Sequence, residues 1–174
     1  MFQLLQPQDE EDFVRYVYYF NNEINTETVN ELIGILSAVP SVDLFMTTPG
    51  GEMPAASVLM HFINNHPDIN IYLTGYIASA GTFFLTDCVK PVYLTESLDW
   101  MLFHMGDREF GGKFRKEPLN RDELYKQLEE CNQTYSDKFK KLGLTPKEIK
   151  EYLKGEDVIL YRKDFHRLKI NRHG

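Results

Sequence analysis

The 174-residue chain holds 26 acidic against 19 basic residues, a net charge of −7, with 43% hydrophobic and 13% aromatic content. This is the composition of one soluble globular domain over residues 1–174. It excludes a strongly basic surface for nucleic acid or anionic membrane, and no apolar run reaches the roughly 18 residues of a membrane span. Residues 1–12 are polar and acidic and read as a loose arm. The first residues have no basic segment or long apolar run, so no secretory signal is expected. Residues 14–20 are β-branched and aromatic and read as a first strand. Asn21-Asn22 turns the chain, and Asn25 or Thr26 caps a helix with Val29, Leu32, Ile33 and Leu36 at helical spacing, ended by Pro40. Residues 42–46 read as a second strand, followed by the turn Thr47-Thr48-Pro49-Gly50-Gly51. Ala55, Leu59, Phe62 and Ile63 mark one face of the next helix, which His66-Pro67 stops. A third strand at 70–73 passes Gly75 and enters a buried helix that starts near Ala80 and ends near Val89. Residues 91–94 and 100–104 read as fourth and fifth strands. This alternation predicts an α/β fold, a parallel sheet joined by right-handed crossovers.

The second half differs. Residues 106–118 are charged, hold three glycines and read as a mobile loop. Asn120 caps a long helix over 120–142, with Leu124, Leu128, Cys131, Tyr135, Phe139 and Leu142 in steps of three and four and charge on the other face. Gly143 closes it as a C′ glycine. A shorter helix follows Thr145-Pro146, with Ile149 and Leu153 inward, and residues 155–161 turn into a last extended piece. Cys88 and Cys131 each fall in an expected helix. They lack metal-ligand spacing and cannot form a disulfide framework, so no metal site is expected and a reducing, cytoplasmic setting is.

The chemistry-bearing residues gather where strands end. Ser79 stands between the third strand and its helix, the geometry of a nucleophile held on a sharp turn; the ordinary alternative is a helix N-cap. In a parallel sheet, ligands bind beyond the carboxyl ends of the strands. Gly50-Gly51 and Ser79 follow adjacent strands at that edge. The glycines are either a tight turn or a place where backbone approaches a ligand. On the second reading, N–H groups from Gly51 and Ala80 converge as an oxyanion hole. His104 reaches the same edge and is either a structural residue or the base an acyl-transfer serine needs. His61 and His66 lie on or at the end of a helix, and His166 and His173 in a basic tail. The carboxylate that would orient the imidazole is Glu156, Asp157 or Asp164, and spacing does not choose among them.

Three ordered motifs, Thr48-Pro49-Gly50-Gly51, then Gly75-Tyr76-Ile77-Ala78-Ser79-Ala80-Gly81, then Leu102-Phe103-His104, resemble those of the Clp protease proteolytic subunit, from about residue 17 to 160. The resemblance implies a ClpP/crotonase fold with a long handle helix at 120–142. It implies a serine peptidase with Ser79 as nucleophile, His104 as general base and Gly51 and Ala80 as oxyanion donors, needing no cofactor. The family's acid lies in an Asp-x-aromatic-apolar segment that residues 157–160 match best, which selects Asp157; an ungapped alignment through Ile149 selects Glu156 instead. Peptide or unfolded protein would be the substrate. The apolar stripe of the handle exceeds what a small sheet covers, and in the family this helix interlocks heptameric rings, so a homo-oligomer is expected over packing on its own domain. A Clp-type ATPase partner is implied too, but the chain departs from the pattern there. Residues 1–12 hold no recognisable axial segment, Met105-Gly106 replaces the residues usual after the histidine, and the C-terminal ending differs. Rival readings are a crotonase-type acyl-CoA enzyme in which Ser79 is incidental, a serine–lysine peptidase using Lys90, and a non-catalytic oligomeric scaffold.

Overall fold

The structure, a computed structural model, describes residues 14–105 and 121–170. The expected arm at 1–12, the loop at 106–118, the Asn120 cap, the Leu124 side chain and His173 lie outside the described residues. Within them, one five-stranded sheet runs in the order β1 (Tyr16–Asn21), β2 (Ser41–Thr48), β3 (Asp68–Ala78), β4 (Val92–Phe103) and β5 (Val158–Tyr161). The first four strands are parallel, and β5 is antiparallel to β4. Helices α1 (Thr26–Leu36), α2 (Met53–Asn65) and the short α3 (Phe83–Thr86) connect the parallel strands. Helices α4 (Arg121–Leu142) and α5 (Pro146–Leu153) precede β5.

Local chemistry fixes these boundaries. Of the two possible caps of α1, Asn25 serves: its side chain accepts from Thr28 N at 3.0 Å, and Thr28 Oγ1 accepts from Asn25 N at 3.2 Å. Two orphan donors of the first turn are thus satisfied. Gly143, at φ 121°, ends α4 as expected, and Gly143 N and Leu144 N both donate to Phe139 O. Along β2, Val42, Leu44, Met46 and Thr48 are buried and alternate with half-buried Asp43, Phe45 and Thr47. The buried set joins Val29, Leu32 and Leu36 of α1 and Leu59 and Ile63 of α2 in the main core. Parallel sheets are ordinarily apolar on both faces. Here the second face carries a row of rings, Tyr19, Phe45, Tyr72 and Tyr93, in register and stacked at 5.0, 4.7 and 5.0 Å. The rings shield one another.

Several elements depart from expectation. The third strand does not stop at Leu73: β3 continues through Gly75 to Ala78, pairing with Thr48 on one side and Trp100 to Leu102 on the other. Gly75, at φ 60°, marks a bulge inside the strand. The expected fourth and fifth strands are one strand, β4, because its polar middle is absorbed by that bulge. There Thr95 Oγ1 donates to Leu73 O at 2.9 Å, and the Thr74 and Ser97 hydroxyls bond each other. The helix after Ser79 is far shorter than expected, a 3-10 turn at Ser79–Thr82 and then α3. The Asn64 side chain takes the Asp87 carbonyl and the Val89 amide, groups a longer helix would need. Cys88 therefore lies outside any helix, while Cys131 is in α4. In α5 the inward residue beside half-buried Ile149 is Tyr152, 2% exposed, whereas Leu153 is 41% exposed.

The C-terminal half of the α4 stripe packs on its own domain. Tyr135 stacks on Phe83 at 4.3 Å, and Phe139 meets Phe103 at 4.9 Å and Tyr152 at 5.3 Å, both edge-on. Burial of this kind stabilises by about 1.5–3 kcal/mol per large apolar side chain. Toward the helix start, Leu128 is only half-buried. No helix of the described residues is long and apolar enough to cross a membrane.

Candidate active site

Strands β2, β3 and β4 end at Thr48, Ala78 and Phe103 at one edge of the sheet. The residues that follow each strand meet there. Ala78 is extended, at φ −130°, and Ser79 then turns to φ 51°. It is the one non-glycine with positive φ among the described residues. That conformation costs about 1–2 kcal/mol for an L-residue, and strain of this kind concentrates at functional sites. The 3-10 turn closes with Thr82 Oγ1 donating to Ser79 O at 2.7 Å. Its cap position is Ala78, with no side-chain cap bond, so Ser79 is not an N-cap. Instead Ser79 Oγ lies 2.6 Å from His104 Nε2.

The glycine turn is built against this serine. Gly50 has φ 92°, and a Cβ there would come to 2.5 Å from Ser79 Cβ and 2.9 Å from Ala80 N. Thr48 Oγ1 accepts from Gly50 N at 3.0 Å and fixes the turn. Gly51, at φ 141°, has no room for a Cβ beside the Ile24 carbonyl. Ile24 N donates to Gly50 O at 2.7 Å and Glu52 N to Ile24 O at 2.8 Å. These bonds flank Gly51, so its own N–H faces away from Ile24. Sequence reading valued Gly51 for its N–H; the contact of Gly50 with Ser79 has no sequence signal beyond the glycine itself.

The carboxylate question is one of register. Phe103 pairs with Val158 across the antiparallel β4–β5 ladder. His104 comes directly after β4 and Asp157 directly before β5, at the same end of this ladder. Asp157 Oδ1 lies 3.7 Å from His104 Nδ1, an ion-pair distance longer than a hydrogen bond. Glu156 is exposed and donates its N–H to Glu151 O in the turn after α5. Asp164 instead accepts from Tyr161 N at 3.2 Å and caps the last 3-10 turn. Among the other histidines, His66 is buried with Nε2 against Leu36 O and Val39 O, and Asp68 N donates to its Nδ1. It therefore donates through Nε2 to the end of α1, a structural task. Lys90 is at the wrong end. Ile71 N donates to Pro91 O, so Lys90 sits toward the start of β3, roughly 25 Å along the strand from Ser79.

A small cavity opens beside the serine, lined by Ser79, Ala80, Thr82 and His104 and by Met53, Phe83, Asn132, Tyr135, Phe139 and Tyr152. Helices α3, α4 and α5 supply its aromatic wall, which periodicity alone could not assign to a site. Burial, then the nearby Asp87 carboxylate, raises the Tyr135 pKa, and burial pushes Tyr152 up to about 12. Both are neutral phenols at physiological pH. Among the described residues no three His, Cys, Asp or Glu side chains converge as metal ligands would.

No protein-family model matches the chain, and no curated protein matches it by sequence. Among solved structures, a mutant of ClpP1 from Listeria monocytogenes superposes with a TM-score of 0.60 at 18% identity, covering 85% of this chain and 84% of that one. At such identity the likeness speaks for the fold. The chain has a mixed α/β, ClpP-like fold.

Proposed function

We propose that the chain is a serine endopeptidase of the Clp proteolytic-subunit type, acting on peptides or unfolded protein. The observation that carries this reading is the strained Ser79, with its Oγ 2.6 Å from His104 Nε2 at the edge where the parallel strands end, the usual place for a ligand in such a sheet. His104 Nε2 takes the Ser79 proton as Oγ attacks the scissile carbonyl carbon. The Gly51 and Ala80 N–H groups receive the negative charge that forms on the carbonyl oxygen, at about 3–4 kcal/mol of transition-state stabilisation per donor. His104 then gives its proton to the departing amine, leaving an acyl-serine. Water enters, His104 accepts its proton, the acid product leaves and Ser79 recovers its hydrogen. Asp157 holds the His104 proton on Nδ1 and steadies the imidazolium. Its 3.7 Å separation suits a resting site that tightens around substrate.

The crotonase reading leaves Ser79 incidental and gives no reason for its strain or for the short bond to His104. Homo-oligomerisation through residues 125–131 of α4, which are exposed or half-buried, cytoplasmic placement and service to a Clp-type ATPase are proposals that accompany the peptidase reading. The test is hydrolysis of casein and of a mixed peptide library, with products read by mass spectrometry. Wild type is expected to cut and Ser79→Ala to fall to background. Cutting that persists in Ser79→Ala refutes the assignment.

A further inference from the structure

The cavity beside Ser79 is small, and its walls are fixed. It measures about 30 Å³. A water molecule needs roughly 10–15 Å³, and an apolar cavity of roughly 150 Å³ takes a benzene ring. The space therefore suits a methyl or hydroxymethyl group and not an isobutyl or benzyl one. Phe139 and Tyr152 are each 2% exposed and Phe83 7%. They interlock with Phe103 and Tyr135 through the ring contacts already described, so opening the pocket would break several edge and stacked contacts together. Tyr135 is the half-buried wall, and it is braced from outside. Lys138 Nζ lies 4.6 Å from its ring centroid and is itself ion-paired to Asp87 at the end of α3. The cavity abuts Ser79, Ala80 and His104 at once. It lies where the side chain next to the attacked carbonyl must go.

We propose, resting on the peptidase reading, that this cavity receives the residue on the acyl side of the scissile bond and restricts it to alanine, serine or glycine, with Tyr135 setting the limit. A leucine or phenylalanine there would have to displace a packed ring. Discrimination against it is about tenfold to a few hundredfold in kcat/KM, the range one or a few methylenes command in an apolar pocket.

The experiment uses the full chain and fluorogenic peptides that differ only in the residue before the fluorophore: alanine, serine, leucine or phenylalanine. A fluorophosphonate, which has no such side chain, reports Ser79 reactivity separately. The expected result is alanine and serine peptides cleaved at least about tenfold better than leucine and phenylalanine. Tyr135→Val, which opens the wall, should raise the leucine-to-alanine ratio of kcat/KM about tenfold. Wild type that labels with the fluorophosphonate but cleaves leucine or phenylalanine peptides as well as alanine overturns the size limit and leaves the peptidase reading intact. Folded wild type that neither labels nor cleaves any peptide overturns both. If Tyr135→Val fails to fold, the wild-type panel alone decides the size limit, and leucine preference there refutes it.

Discussion

Gly50→Ala should damage both the fold and Ser79. Residue 50 has φ 92°, which costs an alanine about 1–2 kcal/mol. Its Cβ would fall 2.5 Å from Ser79 Cβ, 2.6 Å from Ala78 O and 2.9 Å from Ala80 N. Two of these are backbone atoms that cannot swing aside, so forcing them apart costs about 1–3 kcal/mol more. The sum, about 2–5 kcal/mol, corresponds to a fall in Tm of roughly 4–20 °C for a chain of this size. Two further glycines separate the contributions. Gly155 has φ 81° with nothing within 4 Å of an added Cβ. Gly155→Ala carries only the strain, about 1–2 kcal/mol. Gly34 lies inside α1, exposed, with nothing within 4 Å of an added Cβ, so Gly34→Ala should stabilise by up to about 1 kcal/mol. Thermal unfolding of the three variants, beside fluorophosphonate labelling, checks the order. Gly50→Ala should rank lowest in Tm and lose labelling, whereas Gly155→Ala should keep it. A Gly50→Ala protein that melts and labels like wild type would refute the packing argument.

Other expectations follow from single contacts. Asp157→Asn should lower peptide hydrolysis by up to about 10⁴-fold while Glu156→Gln leaves it unchanged, because the Asp157 carboxylate lies 3.7 Å from His104 Nδ1; equal losses would refute the role given to Asp157. Glu148 is tied to Arg167 by two bonds of 2.6 and 3.0 Å, and Arg167 also reaches Gly143 O at the end of α4. Burial pushes the Glu148 pKa up, but the hydrogen bonds from Arg167 and Thr145 outweigh it, and the net shift is down. A depressed folded pKa gives stability that is present above the unfolded value and lost as pH falls through the folded one. Glu148→Gln should therefore be less stable than wild type by about 1–3 kcal/mol at neutral pH, with the two unfolding curves converging below about pH 4. A constant gap across that range would count against the linkage. Burial pushes the Cys88 thiol up to about 11. Iodoacetamide at neutral pH should leave Cys88 untouched in the folded protein, as mass spectrometry of the digest would report.

The candidate site was legible in the sequence in parts. Ser79, His104 and the glycine pair carry their meaning locally, since each follows a strand and parallel strands end at one edge. The parallel order of the first four strands was legible for the same reason. What escaped was everything set by long-range pairing. The join of 91–94 to 100–104 depends on a bulge opposite Gly75, and no local pattern in that polar stretch announces it. Residue spacing alone left Glu156, Asp157 and Asp164 open, and only the resemblance favoured Asp157; its approach to His104 follows the antiparallel pairing of β5 with β4, remote in sequence. The inward turn of Tyr152 instead of Leu153 depends on Phe139 packing against it, and the early end of α3 depends on Asn64, which is remote in sequence.

The central claim is that His104 activates Ser79. Fluorophosphonate labelling tests it most directly, with wild type beside Ser79→Ala and His104→Ala, and adduct formation read by mass spectrometry of the intact protein. Labelling of wild type at Ser79 that vanishes in both variants is the predicted result. A folded wild type that takes up no probe, or a His104→Ala protein that labels as fast as wild type, would contradict it.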